Sequence, residues 1–121
     1  MRKMRKEELI LLNISGIGKR ALEKLSDAEL SEKIDFLKKD KASALDEELR
    51  LIKKYGVEVM AIFEEAYPKM LREIHGAPLL LYIKGSILKE NEIGIAIVGS
   101  RRATLYGTSS AERLGYELAS R

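Results

Sequence analysis

The residues best suited to chemistry in this chain follow a short apolar run. Residues 93–98 read Ile-Gly-Ile-Ala-Ile-Val, and residues 99–104 read Gly-Ser-Arg-Arg-Ala-Thr. The β-branched run predicts a buried strand, and the pattern that begins near Tyr106 predicts a helix. Backbone N–H groups at the start of a helix that follows such a turn bind anions well. The segment therefore predicts a phosphate-binding turn at the carboxyl end of a strand.

Each predicted ligand of this turn has its own role. Gly99 lets the backbone approach an anion closely, and the Ser100 hydroxyl can bond to a phosphate. Arg101 and Arg102 supply positive charge, and Arg101 is the stronger candidate because it directly follows Gly-Ser. Thr104 can cap the helix. The alternative is that both arginines are ordinary surface charges beside a tight turn. The G-x-G-x-x-G spacing of dinucleotide-binding folds is absent.

A second candidate site lies near the N-terminus, where residues 11–25 resemble a helix-hairpin-helix. The turn reads Gly-Ile-Gly and is followed by two basic residues. Glycines in such a turn let backbone N–H groups approach a DNA phosphate, and a following basic side chain adds charge. The candidate DNA contacts are Gly16, Gly18, Lys19 and Arg20. The alternative is a purely structural hairpin, or one that contacts a protein partner.

Composition excludes several kinds of site. The 121 residues include no cysteine and one histidine, His75, so we expect no metal site and no catalytic residue. We interpret His75 as a solvated turn residue. No apolar stretch approaches the roughly 20 residues that span a bilayer, so a cytoplasmic protein without membrane contact is expected. The net charge of +3 lies in residues 1–54. This excess indicates either a solvated basic end or a surface that attracts DNA.

Local patterns predict a helical segment followed by a mixed one. Ser26 and Glu29 have capping-box spacing, Ser43 and Asp46 repeat that arrangement, and Gly56 suits a helix end. Strands are predicted within residues 57–63 and 79–83, a short helix after residues 67–68, and a helix over residues 106–120. Tyr106 is either a packing residue or a platform for a stacked base. We place a domain boundary so that residues 1–55 and 56–121 form separate domains.

Three segments together resemble the DprA/Smf family of DNA-processing proteins. Residues 67–74 read Tyr-Pro-Lys-Met-Leu-Arg-Glu-Ile, residues 77–85 read Ala-Pro-Leu-Leu-Leu-Tyr-Ile-Lys-Gly, and residues 96–104 contain the Gly-Ser-Arg turn. The resemblance implies a Rossmann-like domain preceded by a small SAM-like, helix-hairpin-helix domain. It also implies binding of single-stranded DNA, loading of the RecA recombinase in natural transformation, and a homodimer. Arg101 matches the family's pocket arginine. We expect no cofactor and no enzymatic activity.

The predicted fold class is therefore α/β, with an incomplete Rossmann-like domain. One strand–turn–helix unit cannot close a doubly wound sheet, so we expect a fragment, the alternative being a small mixed sheet that dimerises. Two other functions remain open. One is a nucleotide phosphoribohydrolase-like enzyme, although its additional acidic motif is missing from this sequence. The other is a helical protein-interaction module on a truncated scaffold.

Overall fold

The structure is a computed structural model that describes residues 2–87 and 93–121. Packing divides the chain into two compact units, Met1–Glu90 and Asn91–Arg121. The described residues of the second unit contain one helix, α6 (Leu105–Ala119). Those of the first unit contain, in chain order, α1 (Lys6–Ile14), α2 (Lys19–Leu22), α3 (Asp27–Asp40), α4 (Ala42–Tyr55), β1 (Glu58–Ala61), α5 (Lys69–Glu73) and β2 (Leu80–Ile83).

Local signals set several helix ends. The predicted capping box is confirmed, because the Ser26 N–H donates to Glu29 Oε2 over 2.7 Å and the Glu29 N–H donates to Ser26 Oγ over 3.3 Å. Gly56 ends α4 in the left-handed region with φ +61°, as predicted. The predicted cap at Ser43 is wrong. Lys41 alone joins α3 to α4, so α4 begins at Ala42 and Ser43 already lies inside the helix.

The two predicted strands in the first unit form an antiparallel pair. Its register aligns Glu58 with Ile83 and Ala61 with Leu80. Pro68 precedes α5, which confirms the predicted short helix. Tyr67, fully buried, donates its hydroxyl to the Pro78 carbonyl over 2.8 Å. This bond fixes the segment before α5 against the segment that leads into β2.

The helices and the strand pair share one core. Helix α1 packs against α3, α4 and both strands, and its buried leucines belong to the same cluster as Met60, Ala61 and Leu80. The largest fully buried side chains are Tyr67, Leu9, Leu11, Leu12, Leu22, Leu30 and Ile34. One hydrophobic core therefore contains residues of the helices and of the strand pair, and the domain boundary at residues 55–56 stays a prediction.

The predicted strand at residues 93–98 is wrong. These residues form no strand, and Ile93 and Val98 are 94% and 89% exposed. A strand needs hydrogen bonds to a neighbouring strand, and the sheet in the described residues contains only β1 and β2. The predicted helix is confirmed as α6. The side chain of Ile97 lies beside the C-terminal half of this helix, because a Cβ added at Gly115 would be 3.9 Å from Ile97 Cδ1.

Helices combined with a small antiparallel sheet agree with the predicted α/β class. None of the helices in residues 2–87 and 93–121 is long and apolar enough to cross a membrane.

Candidate nucleic-acid interface

The predicted phosphate turn forms one wall of an open concavity of about 600 Å³ in the second unit. Four of the five predicted ligands line it, namely Gly99, Ser100, Arg102 and Thr104. The remaining lining residues are Ala103 within the turn, two residues of the segment before it and four residues from the first two turns of α6. Arg101 is exposed but does not line this concavity in the described part of the chain. The structure thus brings Arg102, rather than Arg101, together with the other ligands.

Internal hydrogen bonds hold the turn in shape. The Arg102 N–H donates to Ser100 Oγ over 3.2 Å, so this N–H is already used within the turn and does not point to an anion. Thr104 caps α6 as predicted, since its Oγ1 accepts from the Gly107 N–H over 3.1 Å. The N–H groups of Leu105 and Tyr106 begin the helix and have no acceptor within it. They lie at the positive end of a 15-residue helix dipole.

The charge of this turn is not neutralised internally. Within residues 2–87 and 93–121, every ion pair involves other residues, so neither Arg101 nor Arg102 has a carboxylate partner. Glu112 lines the concavity and reduces its positive potential. A Cβ added at Gly99 would meet no atom within 4 Å. Packing therefore does not require glycine there, and the space beside it is open to a ligand.

The hairpin turn between α1 and α2 differs from the prediction in its backbone. Gly16 has φ +71°, which explains the glycine, but its N–H donates to the Asn13 carbonyl over 3.0 Å. The Ile17 N–H likewise donates to the Leu12 carbonyl over 2.9 Å. These two groups are committed inside the turn and do not face a phosphate. Gly18 has an extended backbone, and a Cβ there would meet nothing within 4 Å.

The two basic residues of the hairpin have different surroundings. Lys19 lies 3.9 Å from the carboxylate of Glu23, one turn further along the chain. Arg20 Nη2 is hydrogen-bonded to His75 Nε2. His75 is exposed, but it is not simply solvated as the sequence suggested. The two residues are 55 positions apart, and no local sequence signal indicates this contact.

The buried carboxylate of Glu8, which no sequence motif indicated, pairs with two of the basic residues at the N-terminus. Glu8 is 4% exposed, and it pairs with Arg2, Arg5 and Lys38 at 3.4 to 3.6 Å. Burial alone would raise the pKa of Glu8. The hydrogen bond from the Arg5 N–H and the charges of Arg2 and Lys38 outweigh burial and lower this pKa below its ordinary value.

Lys6 also has a partner, because its Nζ lies 3.0 Å from Glu64 Oε1. The hydrogen bond from the Ala61 N–H and the Lys6 ammonium lower the pKa of Glu64. Much of the basic N-terminus is therefore engaged in the fold. It is not a frayed end, because Arg2, Arg5 and Lys6 each lie within 4.0 Å of a carboxylate.

No group of three or more His, Cys, Asp or Glu side chains in the described ranges is arranged to bind a metal ion.

Comparison with known proteins gives one match. The family model described as DNA recombination-mediator protein A matches residues 58–121, a range that includes β1, β2, the phosphate turn and α6. Searches of curated proteins and of solved structures found no match. The matched range begins close to the predicted boundary at residue 56 and leaves α1 to α4 outside. Because it covers more than half of the sequence, the chain belongs to the family of DNA recombination-mediator protein A.

Proposed function

We propose that this chain binds single-stranded DNA through its phosphates at residues 99–104 and acts in recombination as a mediator that catalyses no reaction. Membership of the family assigns a role in DNA recombination and processing. The observation that carries the finer proposal is the turn itself. Within the matched range, one concavity is lined by Gly99, Ser100, Arg102 and Thr104. Neither Arg101 nor Arg102 has a carboxylate partner in the described residues.

The chemistry of the turn suits a phosphate oxygen. A guanidinium donates two parallel hydrogen bonds to such an anion, and charge-assisted bonds of this kind are about twice as strong as neutral ones. The first N–H groups of α6, those of Leu105 and Tyr106, have no acceptor within the helix and add donors at its positive end. None of these contacts reads a base, so binding is expected to be largely independent of sequence.

Tyr106 provides a surface for a base beside the phosphate. Its side chain is 83% exposed and lies in the first turn of α6. Exposed aromatic rings next to a basic surface stack on unpaired bases of a single strand. We therefore propose that Tyr106 stacks on a base. The sequence left this role open beside that of a packing residue.

The hairpin is proposed as a further DNA contact. The Gly16 N–H is used internally, so this contact relies on the side chains of Lys19 and Arg20 and on the open backbone at Gly18.

The SAM-like and Rossmann-like domains, loading of RecA and a homodimer are proposed on the family resemblance.

Fluorescence anisotropy of a labelled oligo-dT strand tests the proposed function. We expect salt-dependent binding of the full chain, with affinity falling steeply between about 50 and 200 mM salt because bound phosphates release counterions. The strand should remain intact after incubation, as judged by gel electrophoresis. The control is a duplex of the same oligo-dT with oligo-dA, which shows whether the chain prefers single-stranded over double-stranded DNA. Absence of binding by the folded chain at low salt would refute the proposal.

A further inference from the structure

A second basic cleft lies in the first unit, beside the hairpin. It encloses about 240 Å³ and brings together residues that are far apart in the sequence. Lys19, Arg20 and Glu23 form one side, and the segment that begins in α5 forms the other with Arg72, Glu73, Ile74, His75 and Gly76. We name this the Arg20–His75 cleft.

The cations of this cleft are only partly compensated. Lys19 has a carboxylate neighbour in Glu23, but Arg20 and Arg72 have none within 4.0 Å in the described residues. Arg72 Nη2 donates to the Glu64 carbonyl over 2.6 Å, which positions this guanidinium without cancelling its charge. Arg20 bonds to His75, and an imidazole carries no negative charge in either protonation state.

We propose that Arg20 and His75 together bind a phosphate of single-stranded DNA, at a subsite separate from residues 99–104. This inference rests on the proposed function and adds His75 as a DNA-binding residue. The phosphate takes the place of the direct Arg20–His75 hydrogen bond. The guanidinium of Arg20 donates to one oxygen edge, and the imidazole of His75, with a hydrogen on Nε2, donates to the same anion.

The size of the cleft favours a single phosphate over a larger ligand. Pockets for drug-sized molecules occupy about 300 to 1,000 Å³, and this cleft has about 240 Å³. The nearby acidic side chains Glu23 and Glu73 disfavour a dense run of anions there. A single phosphate of an extended DNA strand fits both the volume and the modest positive charge of the cleft.

The charged groups that face His75 are Lys19, Arg20 and Glu23 on one side and Arg72 and Glu73 on the other. Three cations and two carboxylates leave this surface with a modest excess of positive charge, which favours an anion.

The test uses the fact that His75 is the sole histidine of the chain. Its imidazole resonances can be identified directly by NMR in the full chain. Inorganic sulfate is added first, as a small anion, and oligo-dT is added in a second series. We expect both to shift the His75 resonances. In a His75→Gln variant, we expect oligo-dT affinity to fall about three- to ten-fold.

Two further variants sharpen the interpretation. Arg20→Lys retains the charge but loses the planar fork, and it should weaken binding by a similar factor. Glu23→Gln removes a neighbouring negative charge and should strengthen binding. Oligo-dT binding that leaves the His75 resonances unmoved, or that His75→Gln retains in full, would overturn this inference.

The outcomes separate this inference from the proposed function. A chain that does not bind oligo-dT at all overturns both. Binding that depends on Arg101 and Arg102 but not on His75 overturns only the inference. Binding that depends on His75 and is unchanged by removal of both turn arginines supports the inference and refutes the assignment of residues 99–104.

Discussion

Replacing both arginines of the phosphate turn is expected to lower the affinity of the chain for oligo-dT by about ten-fold or more. Arg101 and Arg102 are exposed and have no carboxylate partner in the described residues, so their full charge is available to DNA. A hydrogen bond to a charged group contributes about 1.5 to 3 kcal/mol, and one such bond accounts for about ten-fold or more in affinity. Anisotropy at about 50 mM salt measures the loss, and the dependence on salt should also become shallower.

The single variants test which arginine matters more. Arg102 lines the concavity and Arg101 does not, so Arg102→Ala should weaken binding more than Arg101→Ala. This is the reverse of the order that the sequence suggested. Arg113→Ala is the matched control, because Arg113 is an exposed arginine of α6 that does not line the concavity. Equal affinity for the double variant and the Arg113 control would show that DNA binds elsewhere.

Replacing Glu8 by glutamine is expected to lower the free energy of unfolding by about 1 to 3 kcal/mol. The carboxylate is buried and is shared by Arg2, Arg5 and Lys38. The amide retains an acceptor for the Arg5 N–H but loses the negative charge that these cations face. Urea unfolding near neutral pH, followed by circular dichroism, measures the difference. Glu7→Gln is the control, since Glu7 is an exposed neighbour in the same helical turn.

The same carboxylate gives stability a predictable dependence on pH. The pKa of Glu8 is lower in the folded chain than its ordinary value of 4.5. Its contribution to stability is therefore complete above the unfolded pKa and disappears as the pH falls through the folded one. The difference between the wild type and Glu8→Gln should shrink below about pH 4.5. A difference that is constant from neutral to acidic pH would contradict the ion-pair explanation.

Features that depend on neighbouring residues were predictable from the sequence. The Ser26–Glu29 capping box, the left-handed Gly56 and the Thr104 cap each involve atoms within a few positions of one another. Local sterics and hydrogen bonds set these conformations, so residue types at fixed spacing identify them. Four of the five residues predicted to bind phosphate also lie around one concavity, and their binding of phosphate stays a prediction.

Features that depend on distant partners were not predictable. Residues 93–98 have strand composition, but a strand forms only where a neighbouring strand supplies hydrogen bonds. The Glu8–Lys38 and Arg20–His75 contacts join positions 30 and 55 residues apart. Nothing in the local pattern selects those pairs, because the packing of the first unit brings them together. For the same reason, the sequence did not indicate that the strand pair shares its core with α1.

The most direct test of the proposed DNA site is an amide NMR map of the full chain titrated with oligo-dT. We predict that the largest shifts fall on residues 99–104, on Leu105 and Tyr106, and on the Arg20–His75 cleft. The arginine double variant should lose the first set of shifts and keep its folded spectrum. Shifts confined to other surfaces, or no shifts at DNA concentrations that saturate binding, would contradict the assignment of the phosphate turn as the DNA site.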